Sequence, residues 1–106
     1  LKRFAGAVRS ALLDADDVLA RQGGEEFAVL LPGATLEQAH VAAARIRECL
    51  READIAHVGS PNGRMTASIG IAAMAPGESV LLGTLLTRAD AALYRAKAAG
   101  RDRAEV

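Results

Sequence analysis

Residues 21–27 of this 106-residue chain read Arg-Gln-Gly-Gly-Glu-Glu-Phe, and they separate two short apolar runs. One run is Val18–Ala20 and the other is Phe27–Leu31. Two short apolar strands joined by a Gly-Gly pair predict a β-hairpin, because glycine accepts the positive φ angles of tight primed turns. We therefore expect an antiparallel strand pair that carries two glycines and two carboxylates at its tip.

Three helices are predicted around this hairpin from apolar residues that recur at helical spacing. They cover Lys2–Leu13, Leu36–Ala53 and Leu85–Ala99. Thr35 followed by Gln38 is typical of a capping box at the start of the second helix, and Gly100 is typical of a helix C-cap. In the second helix we expect a buried face made of Val41, Ala44, Ile46 and Leu50. We expect the charged residues to stay in water, namely Glu37, Arg45, Arg47, Glu48 and Arg51.

A third strand is predicted over Met65–Ala73, where apolar and small residues alternate. Gly70 inside it indicates that another backbone approaches closely. A further short strand over Arg103–Val106 completes the order αββαβα(β). Helices interleaved with a mostly antiparallel sheet indicate an α/β sandwich, and three strands are few for two long helices, so we expect elements missing at the N-terminus.

Composition excludes several classes of function. Lys plus Arg and Asp plus Glu each total 13, so no basic surplus exists for a nucleic-acid partner. The three aromatic residues are too few for a base-stacking platform. Cys49 is the single cysteine, which rules out an internal disulfide. Neither His40 nor His57 stands in a metal-ligand pattern, and we expect Cys49 to serve helix packing.

The Gly-Gly-Glu-Glu tip allows two interpretations. Gly23 and Gly24 would let phosphates approach the backbone with no Cβ in the way, and a neighbouring carboxylate suits Mg²⁺, which shares oxygen ligands with substrate phosphates. Glu25 and Glu26 would point to opposite faces of a strand, so both would not readily bind one metal ion. The alternative is an ordinary hairpin with a solvated pair of glutamates.

A second candidate group is cationic. Lys97 and Arg101 stand four residues apart at the predicted end of the last helix, so one helical turn would bring both to the same side. Cations there interact favourably with the helix dipole without any ligand. They could also bind a triphosphate, the arginine in bidentate fashion and the lysine as a point charge.

Taken together, RQGGEEF, then TASIGIA at residues 66–72, then ADAALYRAKAAGRDR at residues 89–103, resemble the GGDEF family of diguanylate cyclases. The resemblance covers nearly the whole chain, and we interpret residues 1–106 as a partial GGDEF domain. It implies a nucleotidyl cyclase-like (ferredoxin-like) sandwich with a mostly antiparallel central sheet, here lacking its first strand and helix. Such enzymes condense two GTP molecules into cyclic di-GMP, with two domains face to face as a homodimer.

The resemblance also implies roles for single residues. Glu25 matches the position that binds the divalent metal, Mg²⁺ or Mn²⁺, and Glu26 matches the invariable glutamate that supports the metal or handles a proton. Gly23 and Gly24 match the turn against the nucleotide. The basic pair that holds the terminal phosphates is matched by Lys97 and Arg101.

Departures from the family pattern predict what this chain lacks. The D-x-D-x-F-K pattern of the family's first strand and the Asn and Asp that read guanine are absent from the 106 residues, so we expect the isolated chain to be inactive and its parent protein to be the cyclase. In the family's inhibitory R-x-x-D motif, Asp17 matches the aspartate but Asp14 replaces the arginine. We expect weak or absent product inhibition, because a carboxylate repels phosphates.

The alternative function is a degenerate GGDEF module that binds GTP or cyclic di-GMP as a sensor without catalysis. The expected setting is cytoplasmic signal transduction, with an upstream sensor domain in the parent protein and the question of a membrane anchor left open.

Overall fold

The computed structural model describes residues 2–12, 17–23, 26–59, 63–75 and 77–106, with the backbone alone for residues 20–23 and 26. Within these described residues the chain forms three helices and four short strands in the order αββαβαβ. The helices are α1 (Lys2–Ala11), α2 (Leu36–Ala53) and α3 (Leu82–Ala98). The strands are β1 (Val18–Gly23), β2 (Glu26–Leu30), β3 (Ile69–Gly70) and β4 (Ala104–Glu105). The α/β class predicted from the sequence is confirmed.

The predicted hairpin is present. Strand β1 pairs antiparallel with β2, and Leu19 lies opposite Val29. Both of these side chains are half-buried and pack against the core, whereas Val18 and Leu30 at the far end are exposed. The alternation places one face of the hairpin on the helices and leaves the other face in water.

Helix α2 has the predicted bounds because its N-terminal cap is encoded locally. The Thr35 side chain accepts a hydrogen bond from the Gln38 N–H at 3.1 Å, and the Thr35 N–H donates to Gln38 Oε1 at 2.9 Å. The helix ends at Ala53, and its C-cap residue Asp54 adopts a left-handed conformation with φ 51°. The Asp54 N–H donates a hydrogen bond to the Leu50 carbonyl oxygen at 3.1 Å, which satisfies one of the last carbonyls of the helix.

The predicted buried face of α2 is partly wrong. Ile46 and Leu50 are buried, but Val41 and Ala44 are exposed, and Ala43 takes their place in the core. At 3.6 residues per turn, Val41 lies about 160° around the helix from Ala43. Because alanine is frequent throughout this helix, the sequence pattern is compatible with more than one choice of the face that is buried.

The main core lies between α1, α2 and the segment that follows α2. Its buried members are Ala7, Val8, Ala11, Ile46, Leu50, Ile55 and Ala67. The ring of Phe4 on α1 stands 5.5 Å from that of Phe27 on β2, centroid to centroid, which joins the hairpin to this core. Cys49 packs against the same core from α2, as expected.

Two expectations about the sheet differ from the structure. The stretch Met65–Ala73 is paired as a strand only at Ile69 and Gly70, because its parallel partner β4 is itself two residues long. Among the described residues the strands form two separate two-stranded sheets, one antiparallel and one parallel, rather than one mostly antiparallel sheet. The single central sheet of a ferredoxin-like sandwich therefore stays a prediction.

Gly70 confirms the predicted close approach. A Cβ atom at Gly70 would stand 2.1 Å from the carbonyl oxygen of Ala89 and 2.3 Å from the backbone nitrogen of Leu93. Only a glycine lets α3 lie this close to β3. Helix α3 buries Ala92 and Ala96 completely, and it begins three residues earlier than predicted, at Leu82.

Candidate functional site

Two of the four motif residues, Gly23 and Glu26, lie at the ends of the paired hairpin strands. Strand β1 ends at Gly23 and strand β2 begins at Glu26, and these two residues are register partners. The register shifts between Arg21 and Gly23, so the strands are irregular next to the tip. Gly24 and Glu25 lie outside the described residues. The hairpin is thus confirmed, whereas the roles of its four motif residues stay predictions.

The end of α3 forms a Schellman motif around Gly100. The Arg101 N–H donates to the Ala96 carbonyl at 2.9 Å, and the Gly100 N–H donates to the Lys97 carbonyl at 3.4 Å. Gly100 has φ 123°, which supplies the positive φ that this cap requires. The predicted glycine stop is confirmed, and Lys97 occupies the last turn of the helix.

Arg101 lies beyond the end of the helix and its glycine cap, so the helical turn expected to bring Lys97 and Arg101 to the same side does not reach Arg101. The helix ends at Ala98, and Arg101 and Asp102 adopt left-handed conformations with φ 63° and 48°. A left-handed residue other than glycine costs about 1–2 kcal/mol. Arg101 is exposed, and among the described residues its guanidinium has no hydrogen-bond or ion-pair partner. Lys97 is half-buried.

A cation from α2 holds the turn after α3. Arg47 Nη2 donates to the backbone carbonyl of Asp102 at 3.0 Å and to its carboxylate Oδ1 at 3.2 Å. Arg47 is half-buried, so the expectation that it stays in water is wrong. Its partner Asp102 lies 55 residues later in the chain. The spacing of apolar residues along one helix cannot predict a contact between residues so far apart.

Asp17, which matches the aspartate of the inhibitory motif, lies at a second cavity. Asp17 is half-buried and lines a cavity of about 390 Å³ between α1, the residues that follow β2, and the first turns of α2. Arg45 of α2 lines the same cavity and is half-buried rather than fully in water. Asp14 lies outside the described residues, so its effect on product binding stays a prediction.

The donor chemistry of the hairpin suits a hard divalent cation, although the described side chains give no complete site. Among the residues the structure describes, no three His, Cys, Asp or Glu side chains gather in a way that could hold a metal ion. His40 and His57 are exposed, and that neither is a metal ligand stays a prediction. The carboxylates at the hairpin tip offer the oxygen ligands that Mg²⁺ prefers.

No helix in the described ranges is long and apolar enough to cross a membrane.

Comparison with known proteins identifies the family. The family model described as "Diguanylate cyclase, GGDEF domain" matches residues 1–103. The chain belongs to the GGDEF family of diguanylate cyclases. It is 44% identical over 106 residues to diguanylate cyclase DgcP of Pseudomonas aeruginosa, covering all of this chain and 15% of that protein. It is 39% identical over 94 residues to the probable diguanylate cyclase DgcC of Escherichia coli K12, covering 89% of this chain and 24% of that protein.

A solved structure resembles this GGDEF chain in fold. The crystal structure of diguanylate cyclase SiaD in complex with its activator SiaC, from Pseudomonas aeruginosa, superposes with a TM-score of 0.74 at 35% identity. The superposition covers 96% of this chain and 38% of that one. The family predicted from RQGGEEF and the two later blocks is confirmed. That Glu25 and Lys97 border one triphosphate pocket stays a prediction.

Proposed function

We propose that this GGDEF chain carries the catalytic motif of a diguanylate cyclase, which condenses two GTP molecules into cyclic di-GMP and releases two pyrophosphates. The observation that carries the proposal is the position of Gly-Gly-Glu-Glu between β1 and β2 in a chain of this family. The guanidinium of Arg101, which has no partner among the described residues, supports it, because a cation that no carboxylate neutralises is free to bind phosphate.

The proposed reaction occurs twice between two bound nucleotides. The 3′-hydroxyl oxygen of one GTP forms a bond to the α-phosphorus of the other, the bond between that phosphorus and the bridging oxygen of the β-phosphate breaks, and pyrophosphate leaves. The hydroxyl proton passes to a base. Catalysis of phosphoryl transfer is mostly positioning and charge neutralisation, so the residues needed are few and must be well placed.

Glu25 and Glu26 would have different roles at the hairpin tip. Glu25 would hold Mg²⁺ or Mn²⁺ through its carboxylate, and Glu26 would support that arrangement or accept the proton of the attacking hydroxyl. When bound, the divalent cation supplies charge neutralisation to the phosphates. Gly23 and Gly24 would leave space for the nucleotide beside the backbone, since glycine has no Cβ atom.

Lys97 and Arg101 would bind the terminal phosphates. Lys97 lies in the last turn of α3 and Arg101 directly follows its glycine cap. A lysine interacts with phosphate as a point charge, whereas an arginine presents two parallel N–H donors and therefore also fixes orientation. Their different backbone settings, helix and left-handed turn, fit these two different tasks.

Two copies of the domain would be required, because each GTP provides a nucleophile for the other. We therefore propose a homodimer as the catalytic state, with GTP and cyclic di-GMP as ligands, in a cytoplasmic signalling protein that also contains a sensor domain. The chain spans only 15% of the length of DgcP and 24% of that of DgcC, which supports further domains in the parent protein.

Residues 1–106 alone are proposed to be inactive. They contain neither the family's D-x-D-x-F-K strand nor its guanine-reading Asn and Asp. A metal site with fewer carboxylates binds its ion more weakly, and a pocket without hydrogen-bond partners for the base loses discrimination. Turnover of GTP by the isolated 106 residues at the rate of the full-length protein would contradict this part of the proposal.

The test measures nucleotide turnover by the full-length protein that carries these residues. It is incubated with GTP and Mg²⁺, and cyclic di-GMP and pyrophosphate are quantified by mass spectrometry and a coupled assay. We expect one pyrophosphate for each GTP consumed. Glu26→Gln should lower the rate by at least about 100-fold, the scale seen when one preorganised catalytic group is removed.

The matched control is Glu52→Gln, the same change at an exposed position of α2, and its rate should equal that of the wild type. A wild-type protein that binds GTP or cyclic di-GMP tightly but forms no product would favour the sensor alternative instead. An unchanged rate in Glu26→Gln would overturn the assignment of catalysis to the hairpin.

A further inference from the structure

The turn that follows α3 holds three successive residues at positive φ. They are Gly100 at 123°, Arg101 at 63° and Asp102 at 48°. Glycine adopts such angles freely, and aspartate tolerates them, but an arginine does so only when its surroundings determine the backbone. The conformation of Arg101 therefore requires contacts from outside the turn.

Those contacts come from two sides. Arg47 of α2 donates to the Asp102 carbonyl at 3.0 Å and to its carboxylate at 3.2 Å. On the other side, the Asp102 N–H donates to the Ser68 hydroxyl oxygen at 3.3 Å. The residue after Asp102 is tied as well, because its carbonyl accepts a hydrogen bond from the Ile69 N–H at 2.8 Å. The backbone just beyond Arg101 is thus bound to α2 and to the segment that enters β3.

We propose that Arg47 is a positioning residue that orients Arg101 toward a nucleotide triphosphate by fixing Asp102. This inference rests on the proposed function, in which Arg101 contacts the terminal phosphates. The direction in which the Arg101 side chain leaves the backbone depends on its φ, so relaxation of the turn would redirect the guanidinium. Bidentate binding of a phosphate tolerates little misorientation.

Arg47 differs from two nearby arginines in the carboxylate with which it pairs. Arg51, one turn later on α2, pairs with Glu48 of its own helix, and Arg64 pairs with Asp54 at 2.8 Å. Neither of these pairs includes a residue of the turn after α3. Arg47 Nη2 instead bonds to Asp102 of that turn. The Arg47 Nε is buried with no hydrogen-bond partner among the described residues, which costs free energy.

The test uses the full-length protein and compares four forms: wild type, Arg47→Ala, Arg101→Ala and the double variant. If Arg47 acts through Arg101, Arg47→Ala should raise the KM for GTP about 10-fold and leave kcat within about 2-fold, because a contact made equally in the ground and transition states has been weakened. The double variant should have the same KM as Arg101→Ala, because the two changes remove one function. Amide hydrogen exchange at Arg101 and Asp102 should accelerate in Arg47→Ala.

Arg51→Ala is the matched control, since it removes an exposed guanidinium from the same helix, and it should change neither KM nor exchange at the turn. Should Arg47→Ala fail to fold, Ser68→Ala removes only the hydroxyl behind the Asp102 N–H and should raise KM by a smaller factor, about 3-fold, for the same reason.

The possible outcomes distinguish a failure of the positioning role of Arg47 from a failure of the proposed function. If Arg101→Ala raises KM but Arg47→Ala changes neither KM nor exchange at the turn, the inference is wrong and the proposed function stands. If the effects of the two variants multiply, Arg47 acts independently of Arg101 and the inference is wrong. If Arg101→Ala leaves KM unchanged, the proposed phosphate contact is wrong and the inference falls with it.

Discussion

Gly70 of β3 and Ala89 of α3 are packed backbone against backbone, so that a Cβ atom at Gly70 would stand 2.1 Å from the Ala89 carbonyl oxygen. The contact sets the distance between α3 and the parallel strand pair. Because α3 ends in the turn that carries Arg101, this distance also helps to place the proposed phosphate-binding residues relative to the rest of the chain.

We expect Gly70→Ala to destabilise the protein by about 3 kcal/mol, at the upper end of the range for overpacking, because the obstructing atoms are backbone and cannot rotate away. Urea unfolding followed by circular dichroism measures the change. Gly83→Ala is the matched control: it lies in α3 with no heavy atom within 4 Å of the added Cβ, and it should stabilise the helix by up to about 1 kcal/mol. Equal stability of the two variants would contradict the packing described.

The capping box of α2 leads to a second prediction. Thr35→Ala removes the side-chain acceptor of the Gln38 N–H and should lower the free energy of unfolding by about 1 kcal/mol. Thr35→Ser keeps the hydroxyl and should retain most of the stability. Urea unfolding of the two variants provides the measurement, and a serine variant as unstable as the alanine variant would show that the hydroxyl is not the stabilising group.

The same capping box shows which parts of the fold were accessible from the sequence. A cap is formed by residues three positions apart, and α2 was predicted with its observed bounds. The length of β3 was overestimated, because strand pairing depends on β4, more than thirty residues later. The exposure of Val41 was missed because an alanine-rich helix does not define a single apolar face.

In the candidate site, too, the features set by local sequence were predicted and those set by long-range contacts were not. The hairpin follows from Gly-Gly between two apolar runs, and the stop of α3 follows from Gly100, both of which are local patterns. The left-handed conformation of Arg101 and the bonds from Arg47 to Asp102 were not predicted, because those bonds join α2 to the turn after α3. Long-range side-chain contacts of this kind leave no periodic trace in the sequence.

A pH-dependent contribution to stability is expected from Glu78, just before α3. The Ala75 N–H donates to its carboxylate at 3.0 Å, and Arg88 lies within 3.4 Å, and these contacts hold the pKa of Glu78 below its ordinary value of 4.5. A carboxyl whose pKa is lower in the folded state stabilises the fold above its unfolded pKa. That contribution is lost as the pH falls through the folded pKa, below 4.5.

Carboxyl carbon chemical shifts from NMR between pH 2 and pH 7 would give the titration midpoint of Glu78. We expect this midpoint to lie below 4.5. In Arg88→Gln the midpoint should rise, but by less than in a variant that breaks the hydrogen bond from the Ala75 N–H, because that backbone hydrogen bond is the larger cause of the lowered pKa. The difference in stability between wild type and Glu78→Gln should shrink as the pH falls below 4.5. A midpoint at or above the ordinary value would contradict the contacts.

The last prediction concerns feedback by the product. Asp17 lines a cavity of about 390 Å³ together with Arg45, while Asp14 replaces the arginine of the family's inhibitory motif. Asp14→Arg removes a charge that repels phosphate and adds a bidentate donor, so the Kd for cyclic di-GMP should fall at least about 10-fold, the effect of one charge-assisted hydrogen-bond pair. Isothermal titration of the full-length protein measures the Kd. Asp90→Arg makes the same charge change at an exposed position of α3 and should leave the Kd unaltered; equal affinities in wild type and Asp14→Arg would mean that Asp14 does not control product binding.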